Sequence, residues 1–241
     1  MIEFKPFKNP LVVALDVDTD AIAYKLADEI SEFVGGFKLG PRLIHRYGRE
    51  ITMHLSKLAP VFVDCKFFDI PSTMEAAVRA SFDSGASVVT VHALSGKEAL
   101  QSMAKLEKEL NSQRAFRILA VTVLTSWDEN SVPPVMTSVP LPTMVHDLAK
   151  FTQDCGLSSI VCSAHELDHL KDLDLFKLTP GIRFSLESHG DQKRVMDPES
   201  AMKLGASAIV VGRPIVEAKN PREAALDYSV AIYKKPKISL S

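Results

Sequence analysis

The sequence predicts a (β/α)8 TIM barrel, a single domain over residues 1–241 with residues 1–10 as a short lead-in. Three observations carry that prediction. Short apolar runs alternate with helical patterns in eight successive strand-then-helix units, in a chain of 241 residues, near the usual barrel length. The runs are rich in β-branched residues, as strands buried on both faces should be. No G-x-G-x-x-G follows the first run, which weighs against a doubly wound sheet.

The elements follow in order. Leu11 to Leu15 reads as the first strand, ending at Asp16, and Ile22, Leu26, Ile30 and Phe33 form the stripe of the helix after it. Gly36 to Gly40 is a second strand bounded by glycines. Leu43, Tyr47, Ile51 and Leu55 then recur every four residues, as one helix face would. Val61 to Cys65 is the third strand. Its helix opens with Ser72-Thr73-Met74-Glu75, which matches a capping box, and buries Met74, Val78 and Phe82. Ser87 to His92 is a strand and Lys97 to Leu110 an amphipathic helix. Phe116 to Leu124 is a long strand, Val132 to Pro142 an elaborated proline-rich loop, and Thr143 to Thr152 a helix. Ser159 to Cys162 and Leu175 to Thr179 are strands, with a brief helix around Glu166 to Leu170 between them. Pro198 to Leu204 is helical, Ala208 to Val211 is the last strand, and Pro221 to Tyr233 the last helix.

Composition narrows the function. Apolar residues make up 46% of the chain, which excludes a disordered protein, and a net charge of −2 gives no overall drive toward nucleic acid. Cys65, Cys155 and Cys162 are odd in number and lack C-x-x-C spacing, which points to a reducing compartment without a disulfide framework. The N-terminal residues have no signal-peptide core, and no apolar run is long enough to span a bilayer. A soluble cytoplasmic protein without membrane association is expected.

In a barrel, chemistry sits at the C-terminal ends of the strands. Asp16, Lys38, Asp64, Lys66, His92, Thr125, Arg183 and Arg213 occupy those ends. Asp64-Cys65-Lys66-Phe67-Phe68-Asp69 is the densest group. Strand alternation points Asp64 and Lys66 one way and Cys65 the other, and Asp69 follows beyond the strand end. Such a set could hold a charged lysine toward a substrate, or form a surface ion pair of little consequence. Lys38 could also snorkel to solvent, and His92 is more often a core or turn histidine than a catalytic one. Pro180-Gly181-Ile182-Arg183 and Val211-Gly212-Arg213-Pro214 follow the seventh and eighth strands, where barrels bind phosphate. Glycine allows close approach of the backbone to an anion, and arginine offers a fork of donors. The polar stretch 183–198 is long for a βα connection and suggests a lid over a phosphorylated ligand.

These residues resemble the orotidine 5′-phosphate decarboxylase family, in its bacterial type. The family's D-x-K-x-x-D-I-P-x-T is present as Asp64, Lys66, Asp69, Ile70, Pro71 and Thr73. The likeness extends to Val12–Asp16, Lys38–Gly40, Ala120–Ser126, Thr179–Arg183, Gly190–Gln192 and Val211–Pro214. It implies decarboxylation of orotidine 5′-phosphate to uridine 5′-phosphate, with neither cofactor nor metal. Lys66 would donate a proton to C6, Asp64 would sit against the substrate carboxylate, and Lys38 would hold the aspartates and the ribose. Asp16 would bind the ribose, and Thr125 and Ser126 the base. Arg183, Gln192, Gly212 and Arg213 would bind phosphate, with Pro180 and Ile70 also against substrate. Asp69 and Thr73 would reach into the partner's site, making a homodimer with shared sites. Cys65, Phe68 and Ser72 stand where relatives usually carry leucine, histidine and asparagine; Cys65 should face away from the site and Ser72 still cap the helix. The alternatives are a magnesium-dependent sugar-phosphate decarboxylase or synthase on the same barrel, whose motif lacks Ile-Pro-x-Thr, or a non-catalytic nucleotide-binding sensor.

Overall fold

The computed structural model describes residues 7–128, 131–136, 138–184 and 196–233. Eight strands pair in parallel: β1 (Leu11–Ala14), β2 (Gly36–Leu39), β3 (Val61–Phe67), β4 (Ala86–His92), β5 (Arg117–Val121), β6 (Ser159–Val161), β7 (Phe176–Thr179) and β8 (Ala208–Val211). They run in chain order, and β8 bonds back to β1 to close the barrel. Helices α1 (Asp20–Ile30), α2 (Pro41–Leu55), α3 (Pro71–Asp83), α4 (Lys97–Asn111) and α5 (Leu141–Asp154) follow the first five strands. A 3-10 turn over Ala164–Leu170 replaces a helix after β6, and α6 (Pro198–Lys203) follows β7. After β8 come the single turn α7 (Arg213–Val216) and α8 (Pro221–Tyr233). No described helix is long and apolar enough to cross a membrane.

Strand alternation divides the apolar residues into two layers. Val12, Ala14, Phe62, Val88, Leu119, Val121, Leu178 and Val210 fill the barrel with Phe7. Leu11, Val13, Phe37, Leu39, Val61, Val63, Val89 and Val91 face the helices in the larger outer core. The same parity turns Lys38, Asp64 and Thr90 inward. They sit toward the C-terminal ends of β2, β3 and β4, where the apolar filling gives way to polar groups.

Several local expectations are corrected. Ile22 is 46% exposed; Ala23, Leu26, Ala27 and Ile30 make the buried stripe of α1, because its contact face is rotated by one residue. The capping box on α3 does not form. Pro71 occupies the first helical position with Ile70 as the cap residue, so Ser72 is already inside the first turn and Glu75 accepts from Ser102 Oγ instead. The fifth strand stops at Val121 rather than Leu124, since the chain turns there to place Thr125 and Ser126 over the barrel mouth. The turn α7, immediately after Gly212, had no periodic signal because it is only four residues long.

One half-buried carboxyl outside the barrel mouth has a consequence for stability. Glu107 of α4 accepts the Ile118 N–H of β5 at 2.5 Å, and burial pushes its carboxyl up to about 7 despite that bond and the nearby Arg117. A raised folded-state value favours folding in acid, and the advantage disappears as pH rises from about 4.5 through about 7. Relative to Glu107→Gln, the wild type should lose roughly 1–3 kcal/mol between about pH 5 and about pH 8 in urea titrations. An unchanged difference between the two proteins across that range contradicts the assignment.

Candidate active site

A cavity of about 580 Å³ opens at the C-terminal end of the barrel. Its floor is the inner apolar layer, with Ala14, Phe62, Val121 and Val210 exposed to it. On one wall, four charged side chains form a continuous chain. Lys38 Nζ lies 3.6 Å from Asp16 Oδ1 and 3.4 Å from Asp64 Oδ2, and Lys66 Nζ lies 2.9 Å from Asp64 Oδ1. Gly40 permits this closeness: a Cβ there would come within 3.3 Å of Asp16 Oδ1.

Asp64 is the hub. Burial alone would raise its carboxyl, but Lys38, then Lys66, and hydrogen bonds from Lys66 and Thr90 hold it below the ordinary carboxylate range. It is therefore an anion at neutral pH, with its side chain only 14% exposed. Lys66 does not continue regular strand geometry. Its φ is +48°, and among the described residues it is the sole non-glycine with positive φ. The register of β3 against β4 shifts between Val63 and Phe67, so the lysine sits in a bulge that turns its amine back onto Asp64. Such conformations cost of order 1–3 kcal/mol and persist where surrounding structure holds them. Cys65 points into the outer core as expected, and burial, then the Asp64 charge, push its thiol up to about 11.

The segments after β7 and β8 carry the two arginines. Gly181 adopts φ +79°, open to glycine at low cost, and turns the chain after β7 so that Pro180 and Arg183 both line the cavity. Arg183 is only 7% exposed. Its backbone N–H donates to Met196 O at 3.0 Å, and the Phe184 N–H donates to Tyr228 Oη of α8 at 3.2 Å. After β8, Gly212 and Arg213 line the cavity, and Thr125 and Ser126 enter from the β5 side.

The expected set thus divides. Asp16, Lys38, Asp64, Lys66, Thr125, Ser126, Pro180, Arg183, Gly212 and Arg213 all line one cavity. Asp69, Ile70 and Thr73 do not; they lie exposed beyond its rim, Ile70 at 64%, and Asp69 accepts the Ile70 N–H at 2.7 Å. Among the described residues Asp69 joins no ion pair, so the local Asp-Lys-Asp triplet is a pair plus an outlying carboxylate. His92 is outside the lining as well. It stacks on Phe68 at 5.5 Å, accepts the Leu94 N–H, and is held below the ordinary histidine range by burial and then by Lys66. Gln192 and most of the expected lid lie outside the described residues.

Sequence reasoning missed Thr90, Arg42 and Glu217. Arg42 and Glu217 line the cavity, and Arg42 donates to Asp16 O and Asp18 Oδ1 at 3.3 Å each. Thr90 had a usable signal: in β4 it has the inward parity, between Val89 and Val91, that Asp64 has in β3.

Residues 9–228 match the family described as "Orotidine 5′-phosphate decarboxylase / HUMPS family". The chain is 39% identical over 224 residues to an orotidine 5′-phosphate decarboxylase of Carboxydothermus hydrogenoformans, covering 90% of this chain and 93% of that one. It is 36% identical over 220 residues to the protein of that name from Geotalea daltonii, covering 89% and 92%. The crystal structure of orotidine 5′-phosphate decarboxylase from Lactobacillus acidophilus superposes with a TM-score of 0.82 at 28% identity, over 94% of this chain and 100% of that one. With the barrel, the charged strand ends and these likenesses agreeing, the chain belongs to the orotidine 5′-phosphate decarboxylase / HUMPS family.

Proposed function

We propose that this protein is a cytoplasmic, cofactor-independent enzyme that decarboxylates orotidine 5′-phosphate to uridine 5′-phosphate, the last step of de novo pyrimidine nucleotide synthesis. The observation that carries this reading is one cavity lined by both the Asp16–Lys38–Asp64–Lys66 chain and the two arginines Arg183 and Arg213. Five cationic and three anionic side chains line it, an excess suited to a ligand bearing both phosphate and carboxylate.

Loss of CO₂ leaves the electron pair of the broken C–C bond on C6, with no adjacent group to delocalise it. The protein then has to stabilise developing negative charge by groups already in place. Lys66 supplies a cation fixed by Asp64, and donates the proton that ends on C6. Asp64 stays ionised and lies beside the departing carboxylate. Lys38, bridging Asp16 and Asp64, keeps the two acids from repelling each other and reaches the ribose. Thr125 and Ser126 contact the base; Arg183, Gly212, Arg213 and Gln192 bind phosphate, and Pro180 packs against it. Grip on the phosphate, remote from C6, contributes binding energy that orders the reacting end.

Asp69, Ile70 and Thr73 complete the site of a second copy in a homodimer. Their exposure supports this, as does the neighbouring Phe68, an aromatic residue 61% exposed at the same strand end. The decisive experiment is mixing the purified protein with orotidine 5′-phosphate in EDTA. Falling orotate absorbance with release of uridine 5′-phosphate is expected. No turnover of orotidine 5′-phosphate, with EDTA-sensitive, magnesium-restored turnover of a sugar phosphate in its place, would assign the chain to the metal-dependent sugar-phosphate branch instead.

A further inference from the structure

Lys66 is held in an unfavourable backbone conformation, and the structure shows what holds it. Thr90 is fully buried on β4, inward of the strand junction where the register shifts. Its Oγ1 accepts the Lys66 backbone N–H at 2.9 Å and donates to Asp64 Oδ1 at 3.0 Å. The same Oδ1 accepts Lys66 Nζ at 2.9 Å. The three bonds close a ring: Lys66 amide to Thr90 hydroxyl, hydroxyl to Asp64 carboxylate, carboxylate to Lys66 ammonium. Each end of Lys66 is thereby tied to the same aspartate, once directly and once through a single hydroxyl.

We propose that Thr90 is a positioning residue for the reaction, the group that locks the Lys66 bulge and fixes the Asp64 rotamer together. The chemistry requires a hydroxyl. Valine would fill the space but leave a Lys66 N–H without its acceptor and remove a donor from a buried carboxylate. Serine keeps both roles. An amide donor bonded to a neighbouring strand's side chain, instead of a ladder carbonyl, is what allows β3 to bulge here without an orphaned N–H. Misplacing a reacting group by about 1 Å can cost about 100-fold in rate.

This inference rests on the catalytic reading of Lys66 and Asp64, and its test has an arm that does not use activity. Thr90→Val should lower kcat on orotidine 5′-phosphate by roughly 10- to 100-fold while KM changes little. Thr90→Ser should stay within about threefold of wild type. Hydrogen exchange at the Lys66 amide, followed by NMR, should accelerate in Thr90→Val and remain protected in Thr90→Ser. Should Thr90→Val fail to fold, Thr90→Ala takes its place with the same expectations. Wild-type kcat in the hydroxyl-free variant, or equal losses in it and Thr90→Ser, overturns the proposal. A wild-type protein that does not decarboxylate, but whose Lys66 amide loses protection only without the hydroxyl, overturns the catalytic reading and with it Thr90's role in the reaction, leaving only its lock on the Lys66 bulge.

Discussion

Lys66→Ala is expected to abolish turnover of orotidine 5′-phosphate while leaving a folded protein. The side chain removed is 38% exposed, and Asp64 keeps Lys38 at 3.4 Å and the Thr90 hydroxyl at 3.0 Å, so no buried charge is stranded. On the proposed mechanism the reaction loses both its proton donor and the cation nearest the developing carbanion. Removing general-acid catalysis together with an electrostatic contact predicts a fall of at least about 10⁴-fold in kcat. Circular dichroism and a thermal melt establish folding, and the absorbance assay reads the rate. Near-wild-type turnover by a folded variant refutes the role given to Lys66. The same variant tests the shared site. Mixed with Asp69→Ala and allowed to exchange subunits, it should regain activity, because a hybrid dimer contains one site with both residues intact. Random pairing predicts about a quarter of wild-type activity. No recovery after demonstrated exchange assigns Asp69 to its own subunit's site.

The second large effect concerns Arg213. Arg213→Ala should weaken uridine 5′-phosphate as a competitive inhibitor by about 10- to 100-fold, as loss of charge-assisted hydrogen bonds to phosphate predicts. Uridine, which lacks the phosphate, should lose little. Arg213 lines the cavity at the first position of a four-residue turn, so truncation beyond Cβ alters charge more than packing. Equal weakening of nucleotide and nucleoside contradicts a phosphate contact, and places Arg213 in general cavity architecture.

Much of this site could be read from the chain because strand parity and strand ends are local properties. Lys38, Asp64 and Arg213 follow apolar runs whose period places them at the barrel mouth, and the glycines beside Arg183 and Arg213 mark the turns that face it. The errors have separate causes. Periodicity identifies the face of α1 only to within a residue, so Ile22 went to the core and Ala23 was overlooked. The Ser72–Glu75 pattern met the requirements of a capping box, but Pro71 had already begun the helix. Thr90 has the inward parity in an apolar strand, but which strand-end groups it meets is decided only across the sheet.

The grouping of Asp64, Lys66 and Asp69 marks the boundary between the two kinds of information. The sequence determined the barrel, the strand end at which these residues cluster, and the resemblance that assigns them chemistry, because alternation, turn residues and motif spacing are written along the chain. Tertiary structure decided which of them act together. Closure of the sheet brings Lys38 and Thr90 from neighbouring strands onto Asp64, and the resulting field keeps that carboxylate ionised. The bulge between Val63 and Phe67 turns Lys66 back onto it and leaves Asp69 outside the rim. Hydrogen bonds and charges act over a few ångströms of space, and only the folded barrel sets those distances for residues 24 and 26 positions apart.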